Sequence, residues 1–195
     1  GLTELSPNEF ETAAESTGAL ILDTRDNGDF SKGFVPNAIN IGINGDFAPW
    51  VGAMIGDVKH PILLIVEDGM EEETVTRLTR VGFDNVLGYL KGGVKAWEAD
   101  GRELDKVDRI TADEFKTRLK VGESVVFDVR KESEWQAEHV EESYSRPLAS
   151  INDWVKDINP DEHFFIHCAG GYRSMIASSI LQSRGYRNFT EVAGG

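Results

Sequence analysis

A repeat is the feature that most narrows the folds open to this chain. Leu20-Ile21-Leu22-Asp23-Thr24-Arg25 returns as Val125-Val126-Phe127-Asp128-Val129-Arg130, 105 residues later. At the same offset Ser6-Pro7-Asn8-Glu9 returns as Thr111-Ala112-Asp113-Glu114, Phe30 as Trp135, and Phe34-Val35 as His139-Val140. The Ser6 and Thr111 segments are capping boxes, each marking a helix start, and Pro7 occupies a first helical position that tolerates proline. Near the end, Leu90-Lys91-Gly92-Gly93 pairs with Val192-Ala193-Gly194-Gly195 at a slightly smaller offset. So steady an offset indicates duplication of a whole domain, not a solenoid unit. Two copies of roughly a hundred residues each fall within the normal domain range. The expected boundaries are 1–100 and 110–195, with a charged linker lacking aromatic residues over 101–109.

Within each copy, short and nearly continuous apolar runs (19–22, 62–66, 86–87) read as strands buried on both faces. Helical patterns lie between them, for example over 71–80 and 111–120. Alternation of this kind predicts an α/β fold, each copy a mainly parallel sheet flanked by helices.

The second copy contains the only cysteine among 195 residues. Phe164-Phe165-Ile166 should be a buried parallel strand running into His167-Cys168-Ala169-Gly170-Gly171-Tyr172-Arg173-Ser174. A helix should follow over 174–183, with Ile176, Ala177, Ile180 and Leu181 on one apolar stripe and Gly185 at its C-terminal end. Cys168 is thereby placed in a tight loop entering a helix N-terminus, where backbone N–H groups form an anion-binding concavity. Such a setting favours thiolate over thiol and makes a nucleophile of the cysteine. Gly170 and Gly171 let the backbone approach a bound group. Arg173 adds a positive charge suited to anionic oxygens. Tyr172 and Ser174 are expected to line the pocket, Ser174 donating a hydrogen bond to the thiolate. His167, adjacent on a strand, should face away from the sulfur.

Cys-x-x-Gly-x-Arg-Ser resembles the active-site loop of the rhodanese (thiosulfate sulfurtransferase) family. Phe127-Asp128-Val129-Arg130, Glu134-Trp135 and His139-Val140 are similar to that family's other motifs, although Glu138, Glu141 and Glu142 replace its usual Gly-Pro-Gly. The resemblance implies two rhodanese-like domains. It also implies that Cys168 takes a sulfane sulfur as a persulfide and passes it on, with residues Ala169 to Ser174 binding the donor. Four residues separate Cys168 from Arg173. Related phosphatases and arsenate reductases have five, and the shorter loop leaves less room for a tetrahedral phosphate. With no second thiol in the chain, the acceptor must come from outside.

The first copy reads Val66-Glu67-Asp68-Gly69-Met70-Glu71-Glu72-Glu73 at the corresponding place. It has no thiol and no arginine there, and its acids favour a helix N-terminus while repelling an anion. This copy is expected to be non-catalytic. Because Asp23-Thr24-Arg25 persists in it, Asp-x-Arg reads as architectural, and neither Asp128 nor Arg130 is counted as catalytic.

A net charge of −14 argues against nucleic acid and anionic membranes as partners. The four tryptophans are too widely spaced, with too few basic neighbours, for a nucleic-acid platform. Locally the balance differs: from Cys168 to Thr190 there is no acidic residue, while Arg173, Arg184 and Arg187 are present. Of the histidines only His163 and His167 stand four apart, and they flank a predicted strand rather than share a helix face, so neither metal nor cofactor is expected. A single thiol without an apolar membrane-length run suits a cytoplasmic setting. The paired arrangement, with Phe47-Ala48-Pro49-Trp50-Val51-Gly52, resembles the C-terminal part of bacterial metallo-β-lactamase-fold/rhodanese fusions related to persulfide dioxygenases. That resemblance implies an N-terminal metal domain in a longer protein. The second copy, which lacks a counterpart of the 94–97 helix, looks cut short. The expected function is sulfur transfer from thiosulfate or a small persulfide to a thiol. The alternative is a non-catalytic sulfur carrier or interaction module.

Overall fold

The computed structural model describes residues 2–121 and 125–194. Gly195, which closes the second Gly-Gly pair, lies outside the described residues. The chain divides into two compact units, Gly1–Lys106 and Val107–Gly195.

In the first unit the elements run β1 (Glu4–Leu5), α1 (Pro7–Thr17), β2 (Leu20–Asp23), α2 (Asn27–Lys32) and β3 (Ile39–Asn40). They continue as α3 (Phe47–Met54), β4 (Ile62–Ile65), α4 (Glu71–Arg80), β5 (Val86–Leu90) and α5 (Gly93–Ala99). The strand order is β1-β5-β4-β2-β3, all parallel. Ser6 caps α1 through the expected reciprocal box: Glu9 N–H donates to Ser6 Oγ, and Ser6 N–H donates to the Glu9 carboxylate. One core cluster joins Phe10, Val35, Leu63, Ile65, Leu90 and Trp97.

The second unit repeats this order. It comprises β6 (Arg109–Ile110), α6 (Ala112–Val121), β7 (Val125–Asp128), α7 (Glu132–Ala137), β8 (Tyr144–Ser145) and α8 (Ile151–Trp154), then β9 (Phe164–His167), α9 (Tyr172–Ser183) and β10 (Phe189–Val192). Its parallel sheet has the order β6-β10-β9-β7-β8, which puts β9 in the centre. Ile110, Phe115, Val126, Phe165 and Val192 fill one face. Against the other face, Phe127 packs at a tilt on Phe164 with ring centroids 4.6 Å apart and meets Trp154 at 5.9 Å. The α/β fold and its parallel sheets are as the alternation of apolar runs predicts. The repeat offset is 105 at Asp23/Asp128 and 102 at Ile65/His167, residues that occupy equal registers in the two sheets.

Two local expectations need correction. The segment 101–109 is not a free linker. Asp105 bridges to Phe34, Glu103 O accepts the Trp97 indole N–H, and Arg102 pairs with Glu11, so residues 102–105 belong to the first unit. Arg109 is already in β6. Nor does α9 carry a single apolar stripe: every residue from 174 to 181 is buried. Ser178 and Ser179 satisfy their hydroxyls on the backbone carbonyls of Ser174 and Ile176, which lets polar residues sit on buried faces of the helix.

Candidate active site

Cys168 follows the last residue of the central strand, where ligands bind in open parallel sheets. The chain turns through Ala169 and Gly170, both exposed, and enters α9 two residues before the expected helix start. Gly171 makes the turn possible. Its φ of +90° is the left-handed region open to glycine, and the resulting bend aims its N–H at the cysteine.

The sulfur is the focus of this loop. Gly171 N–H donates to Sγ at 3.1 Å and Ser174 N–H at 3.2 Å. Both are backbone dipoles fixed by the turn and the first turn of the helix, so they stabilise negative charge on sulfur without reorganising. Cys168 itself is 9% exposed. Gly194 holds the loop from the other side: a Cβ there would fall on the carbonyl group of Gly170.

Two expected roles change. Ser174 does not donate its hydroxyl to the sulfur. The hydroxyl donates to Glu191 Oε2 at 2.6 Å, while the Cys168 thiol lies 3.4 Å from Ser174 Oγ as a donor. Arg173 does not present a free charge. Its guanidinium makes a two-pronged bond to the Glu134 carboxylate, at 2.7 and 3.2 Å. This pairing holds Glu134 below the usual carboxylate range and raises Arg173. Tyr172 is half-buried at the first helical position.

The local charge balance also misleads. The segment 168–190 lacks acids, but the fold brings Glu134, Asp128 and Glu191 to the loop from α7, β7 and β10. Glu191 and its partner Arg109, missed by the sequence reading, form a buried ion pair, with Arg109 also reaching the Gly171 carbonyl at 3.4 Å. A carboxylate within a short strand, between Phe189-Thr190 and Val192, was the available signal.

Asp128 behaves as architecture. Its carboxylate accepts from the Arg130 side chain and backbone, and Arg130 continues to the Glu138 carbonyl at the end of α7. Asp23 and Arg25 repeat this in the first unit, reaching the Gly33 carbonyl. His167 packs toward Phe115 on α6. Burial pushes its imidazole below the ordinary histidine value, with Asp128 partly opposing that.

In the first unit, Val66 stands where the second has Cys168, since Ile65 and His167 share a register. Among the described residues, no cluster of three or more His, Cys, Asp or Glu could hold a metal ion. No helix there is long and apolar enough to cross a membrane.

The rhodanese-like domain family matches the chain twice, over residues 6–100 and 111–195. The chain belongs to this family. A putative sulfur carrier protein, YrkF, of Bacillus subtilis is 24% identical over 102 residues, covering 52% of this chain and 55% of its own length. An uncharacterized protein, YibN, of Escherichia coli K12 is 31% identical over 87 residues, 44% of this chain and 60% of its own. The chain thus spans less than two thirds of either relative. A solved thiosulfate sulfurtransferase from Pseudomonas aeruginosa is 21% identical and covers 100% of this chain and 41% of its own, with a TM-score of 0.47. Both rhodanese-like domains are therefore present, and only the second carries a thiol.

Proposed function

We propose that the second rhodanese-like domain is a sulfurtransferase using Cys168 as the sulfur-carrying nucleophile. The observation that carries this reading is the pair of backbone N–H groups at 3.1 and 3.2 Å from Sγ at the end of the central strand. The thiolate attacks the outer sulfur of thiosulfate or a small persulfide. A new S–S bond forms to Sγ, and the donor's own S–S bond breaks, its electron pair leaving with sulfite or a thiolate. Negative charge on the resulting persulfide stays within reach of the same N–H groups. An external thiolate then takes the outer sulfur and returns Cys168 as thiolate, a ping-pong cycle. Residues Ala169 to Ser174 form the donor's approach, with Arg173 available to oxyanions once Glu134 releases it. The first domain, with Val66 in place of the cysteine, takes no part in the covalent step. An adjoining metallo-β-lactamase-fold domain that oxidises a persulfide, as the sequence resemblance implies, completes the reading.

Intact-protein mass after incubation with thiosulfate or glutathione persulfide tests it. The expected result is a gain of about 32 mass units on wild type, absent in Cys168→Ala and removed by dithiothreitol. No adduct with either donor rejects the reading. One observation favours a second reading, a sulfur carrier that does not turn over small donors: Arg173 is already neutralised by Glu134. A persulfide that forms from glutathione persulfide but never yields thiocyanate with cyanide would select the carrier.

A further inference from the structure

Glu191 is a carboxylate with 0% exposure on the strand beside the catalytic loop, and the covalent chemistry above assigns it no role. It is joined to the nucleophile by a continuous chain of donors and acceptors. The Cys168 thiol faces Ser174 Oγ at 3.4 Å, and the Ser174 hydroxyl donates to Glu191 Oε2 at 2.6 Å. Arg109 closes the far end, its Nε on Oε1 at 2.5 Å and its Nη2 on Oε2 at 3.1 Å.

We infer that Glu191 takes, through the Ser174 hydroxyl, the proton that Cys168 must lose before it attacks a sulfur donor. The thiol passes its proton to Ser174 Oγ as the Ser174 hydroxyl passes its own to Oε2. The products are a thiolate, an unchanged serine and a neutral carboxylic acid. Every hydrogen bond in the chain then reverses: the acid donates to Ser174, and Ser174 donates to the thiolate. Both arrangements are fully hydrogen-bonded, so neither leaves a buried polar group unsatisfied. Burial, the largest influence on Glu191, raises its proton affinity, while Arg109 and Ser174 oppose this. When the acceptor later frees the sulfur as thiolate, the proton returns by the same route. Glu191 acts through Ser174 and is a positioning residue. The identity of the sulfur donor rests on the sulfurtransferase reading; the proton step belongs to the resting site.

The pH profile of Cys168 alkylation by iodoacetamide reads this step without any sulfur donor. A site sharing one proton between two groups holds a fixed fraction of thiolate while that proton count is constant. Wild type should therefore change less than about twofold in rate between pH 6.5 and 7.5. A lone thiol below its midpoint changes about tenfold per pH unit, as expected for Glu191→Gln and Ser174→Ala. Ser174→Ala leaves the Glu191–Arg109 pair intact and covers the case in which Glu191→Gln fails to fold. The other charges around the loop are Arg130, paired with Asp128, and Arg173, paired with Glu134. Burial holds the His167 imidazole below its ordinary value. A wild-type rate that rises tenfold per pH unit overturns the inference, as does a plateau that survives in Ser174→Ala. Mass analysis run in parallel separates the two ideas. A plateau without a persulfide would reject sulfur transfer alone, and a persulfide without a plateau would reject the relay alone.

Discussion

Glu134→Gln should make thiosulfate a better donor. Arg173, the loop's own arginine, is 19% exposed, and its two-pronged partner Glu134 is 34% exposed. A dianionic donor that reaches the guanidinium must displace this carboxylate or sit beside its charge. Two unit charges 4 Å apart interact by about 1 kcal/mol in water and more in a partly dry site. Measured pairs of such exposure contribute up to about 1 kcal/mol after solvent screening. Removing the competing charge at nearly constant size, with one acceptor oxygen kept and the other replaced by an NH2 donor, should then raise kcat/KM for thiosulfate about fivefold, since 1.4 kcal/mol is tenfold. The gain should lie in KM, because the lost repulsion acts on binding before sulfur moves. Thiocyanate production at saturating cyanide measures it. The advantage should shrink at about 0.5 M salt, where charges this exposed are screened. A persulfide donor without an oxyanion at its reacting end should gain less than about twofold. Were kcat/KM for thiosulfate unchanged or lower while Cys168 still alkylates normally, Glu134 would be holding Arg173 in place rather than competing for it, and the reasoning would fail.

Three further outcomes follow from the geometry. Gly194→Ala should cut persulfide formation at least about tenfold with little change in far-UV circular dichroism, because its methyl group lands on rigid backbone at Gly170 and must move the loop; unchanged mass-adduct kinetics would show the loop is not held there. Val66→Cys should yield a first domain that gains no 32-unit adduct beside Cys168→Ala, since Glu67, Asp68, Glu71, Glu72 and Glu73 surround that loop in sequence; an adduct would show that the loop's charge does not matter. Finally, His167 is held below its ordinary value of 6.5 by burial, so the unfolded chain binds a proton there before the native one does. Stability should therefore be full above about pH 6.5 and fall below it, by up to about 1.4 kcal/mol per pH unit for this group. In denaturant titrations from pH 7 to 5, His167→Gln should flatten that slope.

Much of the fold was legible because its causes are local. The Ser6 capping box, the apolar strand runs and the glycine after α9 each express a backbone requirement within a few residues, and each recurs in the other copy at an offset between 102 and 105. The Cys168 loop was legible for the same reason, down to the thiol's place after β9 and the glycine at its turn. Partnership was not legible. Arg173 and Glu134 lie 39 residues apart, and Arg109 and Glu191 lie 82 apart, so only the sheet order brings them together. A count of charge along 168–190 ended one residue before Glu191, the acid that Ser174 links to Cys168. Likewise, the 102–105 segment reads as polar linker by composition, yet Leu104 packs onto the first unit's core cluster.

The two domains show which of these features belong to the fold and which to the site. Asp-x-Arg makes the same bonds in both, tying the end of one strand to the end of the next helix, so it persists in the domain that has no thiol. The pair linking the edge strand to its neighbour does not. Arg109 and Glu191 in the second domain correspond by register to Glu4 and Tyr89 in the first. There Tyr89 donates to the Glu4 carboxylate at 2.6 Å, which pushes the phenol up to about 12. That bond staples the two strands as the ion pair does, but the acid now sits on the edge strand, with a bound phenol in the position from which Glu191 reaches Ser174. Loss of the cysteine, acidification of the loop and removal of the carboxylate from the neighbouring strand thus coincide in one copy. The sheet needs only some cross-strand bond at this position; under the proposed relay, a proton acceptor there serves only the domain whose thiol must be ionised.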